Sequence, residues 1–366
     1  MRYEDPVPNR DAVSDPAPVR GALKCLVWDL DETLWSGTLL EGGAGSLAPG
    51  VEAAIRELDR RGILQSVASK NDHDVAWAQL EALGVAEYFL HPQIGWWSKA
   101  GSIERIAERL GIGLDAVAFI DDQEVERQEV TFYLPQVTVF ETAQLPGLID
   151  DPRLKPRFVT AESRSRRSMY VADAERQAAQ DRFDGPRDAF LSTLAMRMTI
   201  RRATVDDLER AGELTVRTNQ LNTTGRAYSH AELAALIESA DHLVLIAQLD
   251  DRFGSSGTIG LALVELDKAH WTIRLLIMSC RVVSRGIGSV LLGHIIRRAR
   301  EQGAAVRAMF VPTGRNKQMF VTFKFAGFRT LADAEDGQLL EHDPARPPAI
   351  PSYVEVVSDL PSAEAA

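Results

Sequence analysis

Three hydrophobic runs in the first third of the chain end in acids or a hydroxyl. Leu26, Val27 and Trp28 run into Asp29 and Asp31, ILQSVAS closes on Ser69, and AVAFIDD closes on Asp121 and Asp122. Between them lie GVEAAIRELDRR (50–61), DVAWAQLEALG (74–84) and SIERIAERLGI (102–112), with apolar residues at helical spacing. The pattern predicts strands over 23–28, 63–69 and 116–122, a short strand over 137–140, and helices between. Such alternation folds as a doubly wound parallel sheet. The ligand site of that architecture lies outside the carboxyl ends of the strands. Asp29, Ser69 and Asp121 are therefore delivered by three strands to one edge.

Two carboxylates one residue apart repel each other unless a cation sits between them or one holds a proton. Carboxylates are hard oxygen ligands, suited to Mg2+ with waters completing the shell. The candidate ligands are Asp29, Asp31, Asp121 and Asp122. Asp29 can then attack phosphorus as a nucleophile. Asp31 can protonate the leaving oxygen and later activate water. Thr33, Ser69 and Lys99 are the candidate phosphate-binding groups, and Lys99 also neutralises charge in the transition state. An isolated DxD reads as a solvated turn; here an apolar strand feeds it.

A chain of 366 residues exceeds one ordinary core, so two domains are expected. Net charge is -11, which disfavours nucleic acid as a partner. No apolar run reaches the length of a membrane span. The two cysteines, Cys25 and Cys280, are far apart, which excludes a disulfide framework and fits a reducing cytoplasm. Residues 1–20 are polar and Pro-rich and read as a disordered leader.

Residues 146–195 change character and read as a partly helical linker. Strands are expected over 198–203, 242–249, 258–266, 271–279 and 305–311, and helices over 286–303 and 317–328. Two features stand out. RTNQLNTTGRAYS (217–229) gathers Asn219, Asn222, Thr223 and Thr224 in one polar cluster, and RGIG places Gly286 and Gly288 at a helix start, where N–H groups suit phosphate. Residues 336–366, rich in Pro, Ala and acids, read as a loose tail.

DLDET (29–33), SVASKND (66–72), Lys99 and FIDDQEVER (119–127) resemble the four motifs of the haloacid dehalogenase superfamily of phosphotransferases. The resemblance implies an uncapped Rossmann-like domain over 21–145. It makes Asp29 the nucleophile and Asp31 the acid/base, with Mg2+ on Asp29, the Asp31 backbone carbonyl and Asp121. It leaves Asp121 and Asp122 unseparated in role. Neither the Asp29–Ser69 nor the Ser69–Lys99 interval has room for a cap domain, which suits a substrate carried on something large. Residues 196–335 resemble the acetyltransferase-like GNAT fold, whose glycine turn receives a phosphopantetheine arm. Val283 stands where that loop has Arg or Gln, which speaks against acetyl transfer.

The two halves together, with SRSRRSMY (163–170) and PTGRNKQMFVTFKFAGF (312–328), resemble the FkbH-like glyceryl transferase/phosphatases. That family moves a glyceryl group from 1,3-bisphosphoglycerate to the phosphopantetheine thiol of an acyl carrier protein and removes the phosphate, for polyketide assembly. The resemblance implies that Asn219, Asn222, Thr223, Thr224, Gly286 and Gly288 receive the arm. Cys25 reads either as a small buried hydrophobe or as a transient thioester carrier, and Cys280 is a weaker candidate for that role. Arg164, Arg166 and Arg167 read either as a solvated helix face or as a dock for the acidic carrier. The rival expectation is a Mg2+-dependent phosphatase with a non-catalytic GNAT-like module.

Overall fold

The computed structural model describes residues 23–39, 45–218, 220–334, 337–348 and 350–359. The leader expected over 1–20 and Asn219 lie outside the described residues, as do the side chains of Cys280 and Val283.

The first domain is a five-stranded parallel sheet of β1 (Cys25–Trp28), β2 (Leu64–Ser69), β3 (Gln93–Ile94), β4 (Val117–Asp121) and β5 (Thr138–Glu141), in the order β3-β2-β1-β4-β5. Its helices are α1 (Val51–Arg60), α2 (His73–Ala82), α3 (Lys99–Leu110) and α4 (Glu124–Tyr133). Strand β1 shows why the sheet is covered on both faces. Leu26 and Trp28 enter a core with Ile55, Leu58 and Leu80, while Cys25 and Val27 enter another with Ile103, Ile106 and Phe119. A period of two sends alternate side chains to opposite faces, and both faces here are apolar. Sequence order reverses at β1, which places a topological switch point between β1 and β4.

The linker carries α5 (Ala161–Arg164), α6 (Arg166–Asp181) and α7 (Arg187–Thr193). The second domain is an eight-stranded sheet of β6 (Met196–Arg202), β7 (His242–Asp251), β8 (Gly254–Leu266), β9 (His270–Met278), β10 (Ala305–Phe310), β11 (Phe328–Ala334), β12 (Gly337–His342) and β13 (Val354–Ser358). Its order is β11-β12-β10-β9-β8-β7-β6-β13. The helices α8 (Leu208–Arg217), α9 (His230–Glu238), α10 (Gly288–Glu301) and α11 (Lys317–Phe325) pack on it. No helix among the described residues is long and apolar enough to cross a membrane.

The loose tail expected over 336–366 is corrected for the described residues 337–348 and 350–359. Strand β12 pairs with β10 and β11, and β13 runs parallel to β6 from Val354↔Met196 to Ser358↔Ile200. The second sheet thus extends past residue 335. Pro, Ala and acids dominate the composition there, but Leu340 and Val354 are buried and anchor the two strands.

Candidate active site

The parallel sheet brings Asp29, Asp121 and Asp122 together, with one carboxylate oxygen of each within 4.8 Å of the others. Asp29 follows β1, and its N–H donates to Ile120 O at 3.0 Å, which fixes it beside the end of β4. Lys99 opens α3 and is 3% exposed. Its ammonium donates to Asp29 Oδ1 and to Ala68 O at 2.9 Å, and lies 2.9 Å from Asp121 Oδ2. The ordering of α3 is local: Ser98 Oγ accepts from Gly101 N at 3.2 Å and caps the helix.

Charge and burial conflict at this edge. Burial pushes the Asp29 carboxyl up, Lys99 pulls it down, and Asp121 pushes it up again. Burial, then the charge of Asp121, raises Asp122. Burial also opposes the Lys99 charge, but Asp29 and Asp121 outweigh it and hold the ammonium above its ordinary range. Asp121 Oδ2 is buried, and its approach to Lys99 lacks hydrogen-bond geometry, so the oxygen has no hydrogen-bond partner. One lysine does not neutralise three clustered carboxylates. The residues fit a hard divalent cation held by Asp29, Asp121 and Asp122.

The Asp31 carboxylate stands apart from that cluster. Oδ1 accepts from Trp35 Nε1 at 2.8 Å and Leu39 N at 3.0 Å, and Oδ2 accepts from Asn71 Nδ2 at 3.0 Å. The expectation that Asp31 ligates metal therefore narrows to its backbone; the side chain is held for another task. Thr33 is fully buried, and its hydroxyl accepts from Asp122 N at 3.1 Å. It orients Asp122, which corrects its expected place as a phosphate ligand. Ser69 stays at the site, accepting from Asn71 Nδ2 at 3.3 Å.

Sequence reasoning passed over three residues here. Asn71 links Ser69 to Asp31, and its Oδ1 is buried without a partner. Trp35 holds Asp31. Arg127 donates to Asp121 O at 2.9 Å and Asp122 O at 2.6 Å, which fixes the turn carrying both acids. Asn71 lies within SVASKND, where its place two residues after Ser69 was the available signal.

No cap covers this edge among the described residues: α1 fills the Asp29–Ser69 interval, and α2, a single 3-10 turn and β3 fill the next. Trp96 and Trp97, just before Lys99, are 69% and 53% exposed.

Cys25 is fully buried in the apolar layer with Val27 and Phe119. Burial pushes its thiol far up, which disfavours the thiolate, and full burial keeps the sulfur from a carrier's arm. The expected thioester role for Cys25 is corrected accordingly.

The polar cluster of the second domain also has a different use. Strands β9 and β10 pair in parallel from Ala305↔His270 to Ala308↔Ile273 and then separate. Residues 221–223 fill the gap. Met278 N donates to Leu221 O (3.0 Å), Thr223 N to Leu276 O (3.1 Å) and Val311 N to Thr223 O (2.9 Å). Leu276 N donates to Thr223 Oγ1 (3.0 Å), and Asn316 Nδ2 to Asn222 O (3.0 Å). Asn222 and Thr223 are fully buried. They satisfy the backbone of a splayed strand pair, so they do not line a groove for an arm. Thr224 is half-buried beside them. Gly286 has φ +68° and is exposed, and the Tyr353 hydroxyl lies 2.5 Å from where a Cβ would stand. Gly288 faces open space.

Two of the three arginines are committed within the chain. Arg166 donates to Gly62 O at 2.8 Å and to Glu213 Oε1 at 2.5 Å, joining both domains. Arg167 pairs with Asp59 at 3.0 Å and Glu87 at 3.1 Å, with its guanidinium 4.7 Å from the Tyr88 ring centre. The expectation of a carrier dock on Arg166 and Arg167 is corrected: their partners lie far away in sequence. Arg164 is exposed.

No family model and no curated protein matches the chain. Several solved structures do. The N-terminal part of protein BF1531 from Bacteroides fragilis, containing a phosphatase domain complexed with Mg, is 30% identical, with a TM-score of 0.31. That match covers 33% of this chain and only 36% of that one. The PaiA N-acetyltransferase of Thermoplasma acidophilum, in complex with coenzyme A, is 19% identical over 40% of this chain and 98% of its own, with a TM-score of 0.34. The GNAT domain of S. lividans PAT is 21% identical over 39% of this chain and 87% of its own, with a TM-score of 0.32.

Proposed function

We propose that this chain acts in making glyceryl-acyl carrier protein from 1,3-bisphosphoglycerate, with phosphate removal at Asp29. The observation that carries the phosphatase half is the uncapped edge where Asp29, Asp121, Asp122 and Lys99 converge. Asp29 attacks the phosphorus of the 3-phosphate and forms an aspartyl phosphate. Asp31, held by Trp35 and Asn71, gives a proton to the departing glyceryl oxygen and then takes one from the attacking water. Lys99 and Ser69 hold phosphoryl oxygens. Mg2+, when bound, supplies charge neutralisation at the transferring phosphate. Open access and the exposed Trp96 and Trp97 support a substrate presented on a large carrier.

In the transfer half, the carrier's pantetheine thiolate attacks the acyl carbon of the mixed anhydride, and the 1-phosphate leaves. No thioester on Cys25 is required. The filled gap between β9 and β10 favours a second reading: a Mg2+-dependent phosphatase whose second domain binds without catalysing. Intact mass spectrometry of holo carrier protein, with enzyme, Mg2+ and freshly generated 1,3-bisphosphoglycerate, separates the two. The first reading expects a glyceryl adduct with wild type and a phosphoglyceryl adduct with Asp29→Asn. Phosphate release without any adduct on several carriers would leave the second.

A further inference from the structure

The seam between the domains holds an excess of buried positive charge that no function above uses. Arg166 on α6 and Arg210 and Arg217 on α8 converge on Glu213, while Arg281, after β9, reaches Met169, next to Tyr170, and feels the charge of Asp173. Glu213 is saturated, with Thr160, Ser163, Arg166, Arg210 and Arg217 all donating to it. The other nearby acid, Glu162, lies 3.9 Å from Arg210 and accepts from Thr258. Beside this group, Arg176 and Arg285 are matched by Asp173 and Asp251. Among the described residues, six guanidinium groups therefore share four carboxylates, Glu162, Asp173, Glu213 and Asp251.

The surplus shows in the hydrogen bonds. Among the described residues, Arg217 makes one hydrogen bond, at 3.3 Å, to Glu213. Among the described residues, Arg281 donates to the Met169 sulfur at 2.9 Å and Ser256 O at 3.2 Å. Arg210 Nε is buried without an acceptor. A guanidinium carries five N–H donors, so most of those on Arg217 and Arg281 are unused. Burial, and then the neighbouring charge of Arg166, brings Arg217 down to about 10. The Arg217 side chain keeps 26% of its surface open, which gives a route in from solvent.

We infer that this seam binds a phosphate-type dianion, gripped by the free N–H groups of Arg217 and Arg281 and by the Tyr170 hydroxyl. A dianion supplies the two missing negative charges, and tetrahedral oxygens match guanidinium forks. The phosphate can come from a small phosphorylated metabolite or from a pantetheine phosphate. The inference does not rest on the glyceryl reading, because the seam lies away from Asp29.

The test is calorimetric titration of the full chain with inorganic phosphate in EDTA, repeated with Arg217→Gln, Arg281→Gln, Tyr170→Phe and Ser69→Ala. Hydrogen exchange then locates the protected segment. Wild type and Ser69→Ala should bind alike, with protection over 210–217. Either arginine variant should weaken binding by roughly tenfold or more, and Tyr170→Phe severalfold. Absence of binding by wild type would overturn the site. So would protection over 66–72 instead, or unchanged affinity in folded Arg281→Gln and Tyr170→Phe. Separate titrations with 3-phosphoglycerate and pantetheine 4′-phosphate identify which source competes for it.

Discussion

Two of the parallel strand pairs among the described residues, β1 with β4 and β9 with β10, part at one end. Beyond Trp28 and Ile120, β1 and β4 leave a gap lined by Asp29, Asp121, Asp122 and Lys99. Beyond Ile273 and Ala308, β9 and β10 leave another, and residues 221–223 occupy it. The first gap keeps charged groups without enough partners. In the second, backbone groups are satisfied by the chain itself. A splayed parallel pair is thus a site only where its polar groups are left for something else to satisfy.

The sharpest break of that contrast is Asp29→Asn, which leaves shape intact and removes the nucleophile. Removal of the 3-phosphate should fall by about 10^4-fold or more, read by a steady-state phosphate assay on phosphoglyceryl carrier protein. Next is the seam joining the two regions. Arg166→Met removes the hydrogen bonds to Gly62 O and Glu213 that join the domains and should cost about 1–3 kcal/mol in denaturant unfolding. The same carboxylate gives a pH dependence. Burial alone would raise Glu213, but Arg210, Arg166 and Arg217 outweigh it and hold it at about 2, against 4.5 ordinarily. Its folded pKa is depressed, so its contribution is full above pH 4.5 and is lost as pH falls toward 2. That loss amounts to about 3 kcal/mol, measured by unfolding across this range. In the second gap, Thr223→Val leaves the buried Leu276 N–H unpaired and should cost about 1–3 kcal/mol. Coenzyme A should give no heat of binding with wild type if 221–223 stay seated. The smallest effect is Cys25→Ala: about 1 kcal/mol of stability with glyceryl loading unchanged.

Much of the first domain was legible because its signals are local. Apolar runs ending in Asp29, Ser69 and Asp121 need only periodicity and strand–helix alternation to be placed at one edge. The second domain was less legible because its decisive contacts join distant segments. Strands β12 and β13 are edge elements whose pairing with β10 and β6 is set by the sheet, and their composition resembles a tail. Arg166 and Arg167 sit in a charged helical stretch that reads as solvated, and only the fold brings Gly62, Asp59 and Glu213 to them. Asn222 and Thr223 have the composition of a ligand loop, and backbone pairing needs the same side chains. Thr33 looked like a phosphate ligand because its hydroxyl is one that can hold either oxygen or a neighbouring acid.

The linker helix grips the first domain through Asp59, Gly62 and Glu87, which precede β2 and β3 in the chain. Those residues lie at the edge where parallel strands begin, opposite the edge where Asp29 follows β1. An acyl group handled by the second domain and a phosphate removed by the first would be processed at separate addresses. An intermediate released between them would be diluted and open to capture by a scavenger in solution. One kept on a tether would be passed on at a rate independent of enzyme concentration.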